Sequence, residues 1–387
     1  MSGDTPAAEA SPAGHVVPGR WTADSLRGLQ TQSPDTLPLL SQADFARVAD
    51  DLDIWDAWPV QTRGGDPAPL ATGETLWMAL AAPRFDDPDE RHSHARIHLI
   101  LRSDAGWRDL GPAMPDGFSP GSREWSGSAV LSDDKRTVTL YFTATGRRGE
   151  PALTFEQRLF SARATLTRSA DGWALRDWRG LREIVMRDPD YYMDSMNGSG
   201  KVGTIKAFRD PAYFQDPADG RHYLFFAASL ADSSSPYNGA VGLATTEDPE
   251  TVPWRILPPI LSADGLNNEL ERPHAIHQAG RYYLFWSTQS HVFNPDGPSG
   301  PNGLYGMTST HLGGGWTPLN DTGLVLANPA ESPRQAYSWL VMPDLQVTSF
   351  VDDWGDKQAG DQPRRFGATF APMIRLRLEG TRAGLAR

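Results

Sequence analysis

The chain contains no cysteine. This absence excludes disulfide bonds, thiol catalysis and zinc sites built on cysteine, and it is compatible with both reducing and oxidising compartments. Long apolar runs are also absent, because no stretch approaches the roughly 18 to 20 residues that a membrane-spanning helix needs. Positive charge is in deficit, with 36 Lys and Arg against 48 Asp and Glu and a formal net charge of -12. A polyanion would be repelled, so we expect no nucleic-acid partner. Because no apolar run is long enough to span a bilayer, we expect no membrane partner either.

The first twenty residues lack a basic start followed by an apolar stretch of about 7 to 15 residues, so they do not resemble a secretory signal. They mix Ala, Ser, Pro and Gly, a composition typical of a flexible tail. We therefore expect a flexible tail over residues 1–20 and a single folded domain over residues 21–387.

Aromatic residues are plentiful, at 10% of the chain with 13 Trp. Most of these Trp are expected to pack in a core, although Trp is also a common platform for sugar rings. Long helical patterns are lacking, and only short helices are predicted, near residues 23–29 and 42–51. The secondary structure is therefore expected to be almost entirely β, with a short N-terminal helical segment.

One short aromatic or aliphatic strand recurs at intervals of roughly 60 to 80 residues. Its copies are residues 76–81, 138–143, 223–227, 282–287 and 347–351. A unit of that size holds four short strands and their turns, which is one blade of a β-propeller. Five units predict a five-bladed propeller, and a β-sandwich with irregular strands is the alternative.

Three short strings surround an acidic residue with aromatic, Arg or Pro neighbours. They are WDAWP at 55–59, RDP at 209–211 and ELERP at 269–273. A pair of carboxyl groups facing one substrate is able to cleave a glycosidic bond without a cofactor, because one protonates the leaving oxygen while the other meets the oxocarbenium-like carbon. Each string alone is weak evidence, since an Asp beside Pro is usually a turn residue.

The positions of these acids within the repeat strengthen the prediction. Asp56, Trp125, Asp210, Glu271 and Tyr337 each precede a recurrent strand by a similar distance, so each is assigned to the strand before it. In a propeller the equivalent strand of every blade lines the central channel. Residues far apart in sequence are therefore expected to meet in one acidic funnel.

These residues resemble glycoside hydrolase family 68, the bacterial levansucrases, inulosucrases and related β-fructofuranosidases. The resemblance extends from about Trp21 to Leu378. Besides the three acidic strings it rests on HARI at 94–97, EWSGS at 124–128, GLYG at 303–306, QAYS at 335–338 and FAP at 370–372. It implies a five-bladed propeller with an acidic pocket, with sucrose as the fructosyl donor.

The resemblance also implies roles for the three acids. Asp56 would be the nucleophile that attacks the fructosyl anomeric carbon, Glu271 the general acid and base, and Asp210 the stabiliser of the charged transition state. For this division of labour Glu271 must be protonated while Asp56 is ionised. Further residues match sugar-contacting positions: Trp55, Trp125, Ser126, Arg209, Glu269, Tyr337 and, at the pocket rim, His291.

A second RDP string, at 187–189, competes with Asp210 for the stabiliser role. In the family, the stabiliser is followed by an aromatic strand, a hairpin turn and another aromatic strand. That pattern follows Asp210, whereas a loop sequence follows Asp188. We therefore predict Asp210.

No cofactor or metal is expected. The His pairs at 92 and 94 and at 274 and 277 lack a third nearby ligand for zinc. Levansucrases of Gram-positive bacteria commonly carry an Asp before the Glu-X-Glu string, where this chain has the uncharged Asn268, a weaker ligand for calcium.

The function predicted from the resemblance is a retaining, levansucrase-type fructosyltransferase that passes fructose to fructan, sucrose or water. The alternatives are a β-fructofuranosidase that mainly hydrolyses sucrose and an inulosucrase. A non-catalytic sugar-binding propeller and an arabinan-cleaving enzyme are more distant alternatives. The resemblance favours an extracellular protein, and the sequence makes no prediction of oligomeric state.

Overall fold

The computed structural model describes residues 16–30, 34–170, 172–197, 204–355 and 364–386, and β-strands dominate them. The strands are β1 (Gly19–Arg20), β2 (Leu52–Gln61), β3 (Thr75–Pro83), β4 (Arg96–Ser103), β5 (Gly106–Pro112), β6 (Arg123–Leu131), β7 (Thr137–Thr145), β8 (Gln157–Ser169), β9 (Gly172–Val185), β10 (Phe208–Gln215), β11 (His222–Ser229), β12 (Gly239–Thr246), β13 (Arg255–Ser262), β14 (Glu271–Gln278), β15 (Arg281–Thr288), β16 (Gly303–Ser309), β17 (Thr317–Pro318), β18 (Leu324–Ala327), β19 (Ala336–Val341), β20 (Gln346–Val351), β21 (Ile374–Glu379) and β22 (Arg382–Leu385).

Helical structure is short. The α-helix α1 covers Ala23–Arg27, and 3-10 turns cover Gly28–Gln30, Gln42–Asp44, Pro88–Ser93, Ser195–Asn197, Ser290–Val292 and Leu319–Asp321. The predicted first helix is confirmed. The second helix is wrong beyond its first turn, because Phe45 adopts an extended backbone and packs its ring edge-on against Trp354 at 5.3 Å. No helix in these described segments is long and apolar enough to cross a membrane.

The strands group into five antiparallel meanders. They are β2 to β5, β6 to β9, β10 to β13, β14 to β16 with β17 and β18 both paired to β16, and β19 to β22. The first strands of successive meanders contact one another, and β19 also contacts β2, so the five first strands form a closed ring. The fold is the predicted β-propeller with its first strands around the axis, and the β-sandwich alternative is wrong.

The recurrent strands found in the sequence are the second strands of the five meanders, β3, β7, β11, β15 and β20. They read as nearly continuous apolar runs because neighbouring meanders cover both of their faces. Close packing also explains Gly242 in β12, where a Cβ atom would lie 2.1 Å from a ring carbon of Phe226. The predicted hairpin turns at 216–220 and 278–280 connect first to second strands and are confirmed.

The N-terminal segment packs on the outside of the third meander. Most of the predicted tail lies outside the described residues, but Gly19 and Arg20 form β1, which pairs in parallel with β13. The next residue, Trp21, is buried, and its indole N–H donates to the Thr322 carbonyl at 3.0 Å. Burying an aromatic side chain of this size stabilises the fold by ~1.5–3 kcal/mol. The segment therefore ties the third meander to the fourth.

Candidate active site

Each first strand is interrupted by a β-bulge at the same level of the propeller. The register with the second strand shifts between residues 55 and 58, 125 and 127, 209 and 212, 271 and 274, and 337 and 340. Four of the bulged residues have a left-handed backbone, with φ of 49° at Asp56, 63° at Asp210, 48° at Arg272 and 62° at Ser338. A bulge redirects a side chain that the regular pleat would aim elsewhere.

The bulges bring two rings of side chains to one cavity of about 770 Å³. The bulged residues are Asp56, Ser126, Asp210, Arg272 and Ser338, and the residues before them are Trp55, Trp125, Arg209, Glu271 and Tyr337. Glu269 and His291 line the same cavity. The structure thus brings together all ten residues proposed from the sequence. Arg272 and Ser338 belong to the ring of bulged residues, and the sequence did not predict them. In those two meanders the repeat indicated Glu271 and Tyr337, which each lie one residue before the bulged position.

The Asp210 carboxylate is held from two sides. The Ser126 hydroxyl donates to Oδ1 at 2.7 Å, and the Arg272 backbone N–H donates to Oδ2 at 3.3 Å. Burial raises the pKa of Asp210 above its ordinary value, although the neighbouring Arg209 guanidinium opposes the rise. The competing Asp188 lies outside the cavity lining, in a loop after β9, where it accepts from the Asp190 N–H at 2.9 Å.

Asp56 is partly exposed in the cavity, and the buried Arg272 guanidinium interacts electrostatically with its carboxylate. Burial raises its pKa to about 6, while the Arg272 guanidinium and a hydrogen bond with Ser338 act in the opposite direction. Arg272 is itself fixed, since it donates to the Ser338 hydroxyl at 2.8 Å and to the Ala57 carbonyl at 2.7 Å. The carboxylates of Asp210 and Glu271 are near enough to add to the rise in the pKa of Asp56.

Glu271 is more accessible than Asp210 and Glu269. Its side chain is 21% exposed, compared with 8% for Asp210 and 5% for Glu269. Arg209 Nη2 donates to Oε1 at 2.9 Å, and the Tyr337 hydroxyl donates to Oε2. One carboxyl group therefore faces the open cavity while its two oxygens are held by a cation and a phenol.

Glu269 lies in the loop just before β14. Its carboxylate is 3.5 Å from Arg209 Nη2, and its backbone N–H donates to the Asn267 side-chain oxygen at 2.8 Å. Burial, followed by the nearby Glu271, raises the pKa of Glu269 to about 7, against the effect of Arg209. Arg209 is therefore shared by three carboxyls, since its Nη2 faces Glu269 and Glu271 and its Nε lies 3.7 Å from Asp210 Oδ2.

The two Trp residues of the inner ring are mostly covered. Trp55 is 2% exposed and lies under the guanidinium of Arg91, 5.3 Å from the ring centroid, while Trp125 is 8% exposed. The Trp125 indole N–H donates to the His92 carbonyl at 3.4 Å. Both rings line the cavity with only a small part of their surface, so most of each ring packs within the protein.

The cavity rim is formed by irregular segments. His291 lies in the 3-10 turn Ser290–Val292, and burial lowers its pKa while Glu271 opposes the change. Arg364 also lines the cavity, and it donates to Asp89 at 2.7 Å and to Asp352 at 2.6 Å. These ion pairs join the loop between β3 and β4 to the residue after β20. They were not predicted, because irregular segments have no hydrophobic periodicity.

The described residues include no group of three or more His, Asp or Glu placed to hold a metal ion. His274 has a structural role: burial lowers its pKa to about 4, its Nδ1 contacts the Arg272 carbonyl at 2.9 Å, and its Nε2 accepts from the Val341 N–H at 2.8 Å. At Asn268, the side-chain oxygen accepts from the Lys206 ammonium at 2.6 Å.

A propeller whose first strands carry three carboxyl groups into one funnel has the fold and site of an enzyme that cleaves glycosidic bonds. The comparison with protein families is more specific, since the levansucrase/invertase family matches residues 11–238 and 230–386. The chain belongs to this family. This membership argues against an arabinan-cleaving enzyme, and the presence of all three acids in one cavity argues against a sugar-binding module without catalysis.

Individual relatives agree. A levansucrase of Pseudomonas savastanoi pv. glycinea is 33% identical over 95% of this chain and 90% of its own length, and a levansucrase of Rahnella aquatilis is 32% identical over 96% and 95%. Among solved structures, an inulosucrase from Halalkalicoccus jeotgali bound to kestose has a TM-score of 0.86 at 33% identity, covering 95% of both chains. A levansucrase from Gluconacetobacter diazotrophicus, at 22% identity and a TM-score of 0.82, supports the fold alone.

Proposed function

We propose that the protein is a retaining, sucrose-cleaving fructosyltransferase of levansucrase type. The observation that carries this proposal is the convergence of Asp56, Asp210 and Glu271 from three different meanders on one cavity. Family membership supplies the substrate class, and residues 21–387 form the proposed catalytic domain.

In the first half-reaction, Asp56 attacks the anomeric carbon of the fructosyl unit. The bond from that carbon to the glucosyl oxygen breaks, and Glu271 gives its proton to the departing oxygen. Asp56 must be ionised to attack, which its pKa of about 6 permits near neutral pH. The products are free glucose and a covalent fructosyl-enzyme.

In the second half-reaction, the ionised Glu271 removes a proton from the acceptor hydroxyl, and the acceptor oxygen displaces Asp56 from the anomeric carbon. Water, sucrose and a fructan chain are the proposed acceptors. The exposure of Glu271 toward the open cavity supports this exchange of protons, since the same group must meet both the leaving glucose and the incoming acceptor.

Asp210 is proposed to stabilise the oxocarbenium-like transition state without attacking it. The hydrogen bonds from Ser126 and the Arg272 N–H fix its carboxylate before the substrate binds. A preorganised negative charge beside the developing positive charge lowers the barrier without any reorganisation during the reaction.

The remaining cavity residues are proposed to bind sugar. Arg209, Glu269 and Tyr337 offer charged and phenolic hydrogen-bonding groups around Glu271. Trp55, Trp125 and Ser126 lie around the nucleophile and stabiliser, and His291 lies at the rim where an acceptor enters. A polar, hydrogen-bonding lining of this kind suits a saccharide better than an apolar ligand.

Digestion of sucrose, followed by separation of the products by size, tests the proposal. A transferase releases more glucose than fructose and builds long fructan, whereas a hydrolase releases equal amounts of the two sugars. The likeness to the Halalkalicoccus inulosucrase makes an inulin linkage the second candidate, and NMR of the purified polymer distinguishes the two linkages. A protein that leaves sucrose intact would contradict the proposed function.

A further inference from the structure

A buried lysine lies behind the sugar-binding side of the cavity. Lys206 precedes β10 and is only 8% exposed. Its ammonium donates to three oxygens, the Pro236 carbonyl at 2.5 Å and the side chains of Asn238 at 2.7 Å and Asn268 at 2.6 Å. All three donors of the ammonium group are therefore used, and every one of these acceptors is neutral.

A buried cation is costly unless an opposite charge compensates it. Burial lowers the pKa of Lys206, and the interaction that opposes this change comes from Glu269. In turn, Lys206 is one of the groups that lower the pKa of Glu269. The ammonium thus interacts electrostatically with an acidic residue that lines the cavity, although the two side chains are bridged by a neutral group.

Asn268 is that bridge. Its side-chain oxygen accepts from Lys206, while its amide nitrogen donates to Glu269 Oε1 at 3.3 Å and to the Ile205 carbonyl at 3.3 Å. On its other side, the Glu269 carboxylate faces Arg209 at 3.5 Å. Glu269 is therefore held between Arg209, which lines the cavity, and the Asn268 side-chain amide. The Lys206 ammonium fixes the orientation of that amide, because only its oxygen is able to accept a hydrogen bond from a cation.

We propose that Lys206 is a positioning residue for sucrose, whose ammonium orients Asn268 and through it keeps the Glu269 carboxylate beside Arg209. This inference rests on the proposed function, because it takes Glu269 as a group that binds substrate hydroxyls. Lys206 itself does not line the cavity and does not contact the reacting atoms.

The test is a double-mutant cycle on the full chain with sucrose as substrate, measured by initial release of glucose. Lys206→Met keeps the length of the side chain and removes its charge. We expect KM for sucrose to rise by about tenfold while kcat changes by less than about threefold, since a group that binds substrate and transition state alike affects KM. Glu269→Ala alone should raise KM at least as much, and adding Lys206→Met to it should raise KM no further.

Lys135→Met is the matched control, because Lys135 is exposed on the hairpin between β6 and β7 and contacts the Pro69 carbonyl at 3.3 Å. It should keep the wild-type KM. Thermal unfolding of each variant checks that it is folded. Should Lys206→Met not fold, Asn268→Ala takes its place in the cycle, with the same expected rise in KM.

The two proposals fail in different ways. Wild-type protein that releases no glucose from sucrose contradicts the proposed function. If the wild type is active, a folded Lys206→Met variant with unchanged KM overturns the positioning role. Multiplicative effects of Lys206→Met and Glu269→Ala on KM overturn it as well, because they would mean that the lysine acts independently of Glu269.

Discussion

The first and second strands of each meander are neighbours, yet they are built differently. In the first four meanders, the second strand pairs with the third in unbroken register, and its side chains are almost entirely buried. Every first strand breaks its register on the cavity side, and four of the five hold a non-glycine residue with a left-handed backbone. Such a residue costs about 1–3 kcal/mol, which the surrounding packing must offset.

The comparison indicates that stability and catalysis depend on different strands of each meander. The regular second strands stabilise the propeller, and this stability lets the first strands hold strained residues and buried charges at the axis. Substitutions in the first strands should therefore reduce turnover with little loss of stability, whereas substitutions in the second strands should do the reverse.

The largest effect is expected for Asp56→Asn. The amide keeps the size of the side chain but removes the nucleophile, so no covalent fructosyl-enzyme forms and kcat should fall by about 10⁴ or more. Mass spectrometry after rapid quenching of a sucrose reaction should detect the fructosyl adduct in wild-type protein only. Asp188→Asn, in the loop after β9, is the control and should retain wild-type turnover.

Glu271→Gln should have the next largest effect. Loss of the general acid and base should lower kcat by about 10² to 10⁴. The measurement is the first-turnover release of the leaving group, compared between sucrose and a fructosyl donor whose leaving group needs no protonation. With that activated donor the first half-reaction should recover, and a variant whose first-turnover release is equally slow from both donors would contradict the acid role of Glu271.

The difference between first and second strands also explains which parts of the fold and of the site could be predicted from the sequence. The second strands were found because continuous apolar runs between turn residues are visible in a single sequence. Eight of the ten residues in the two rings were predicted as well. The position within the repeat indicated the three acids, Trp125 and Tyr337, whereas Trp55, Ser126 and Arg209 were assigned through the resemblance to the family. The positions of the bulges could not be predicted in the same way, because a bulge depends on how two strands pair and the local sequence does not determine that pairing.

Arg272 shows the consequence of that limit. The string at 269–273 drew attention to Glu271, yet the residue equivalent to Asp56 and Asp210 in the ring is the following arginine. Asp210 and Arg272 each stand directly before a Pro, so an alignment of the strings on that Pro makes these two residues equivalent. Asp56 stands three residues before its Pro, so the same alignment does not place Asp56 in the ring with them.

The pH dependence of kcat/KM is a milder test of the first strands. The pKa of Asp56, raised to about 6 by burial, lies above its ordinary value, and the ionised form is the nucleophile. As pH falls below about 6, kcat/KM should therefore decline, approaching a tenfold loss per pH unit. Initial rates at low sucrose concentration between pH 4 and pH 8 measure this limb.

The Ser338→Ala variant tests whether Asp56 causes the decline of kcat/KM at low pH. The Ser338 hydrogen bond lowers the pKa of Asp56, so its loss should move the limb to higher pH. An unmoved limb in a folded Ser338→Ala variant would mean that another group controls it.

The smallest effect on turnover is expected in a second strand. Leu140 in β7 is fully buried in the largest apolar cluster and pairs with Ala129, beyond the bulge of β6. Leu140→Ala should lower the free energy of unfolding by about 2–5 kcal/mol, because it leaves a cavity in a packed core. Chemical denaturation measures this loss, and kcat of the folded fraction should stay near the wild-type value.

Leu153→Ala is the matched control, since Leu153 is 49% exposed in the loop between β7 and β8 and its truncation should leave stability nearly unchanged. A loss of turnover in folded Leu140→Ala would show that packing in the second strand also affects the position of the bulge at Ser126. Such coupling is physically reasonable, because Leu140 and the bulge belong to the same pairing of β7 with β6. The second strands would then contribute to turnover as well as to stability.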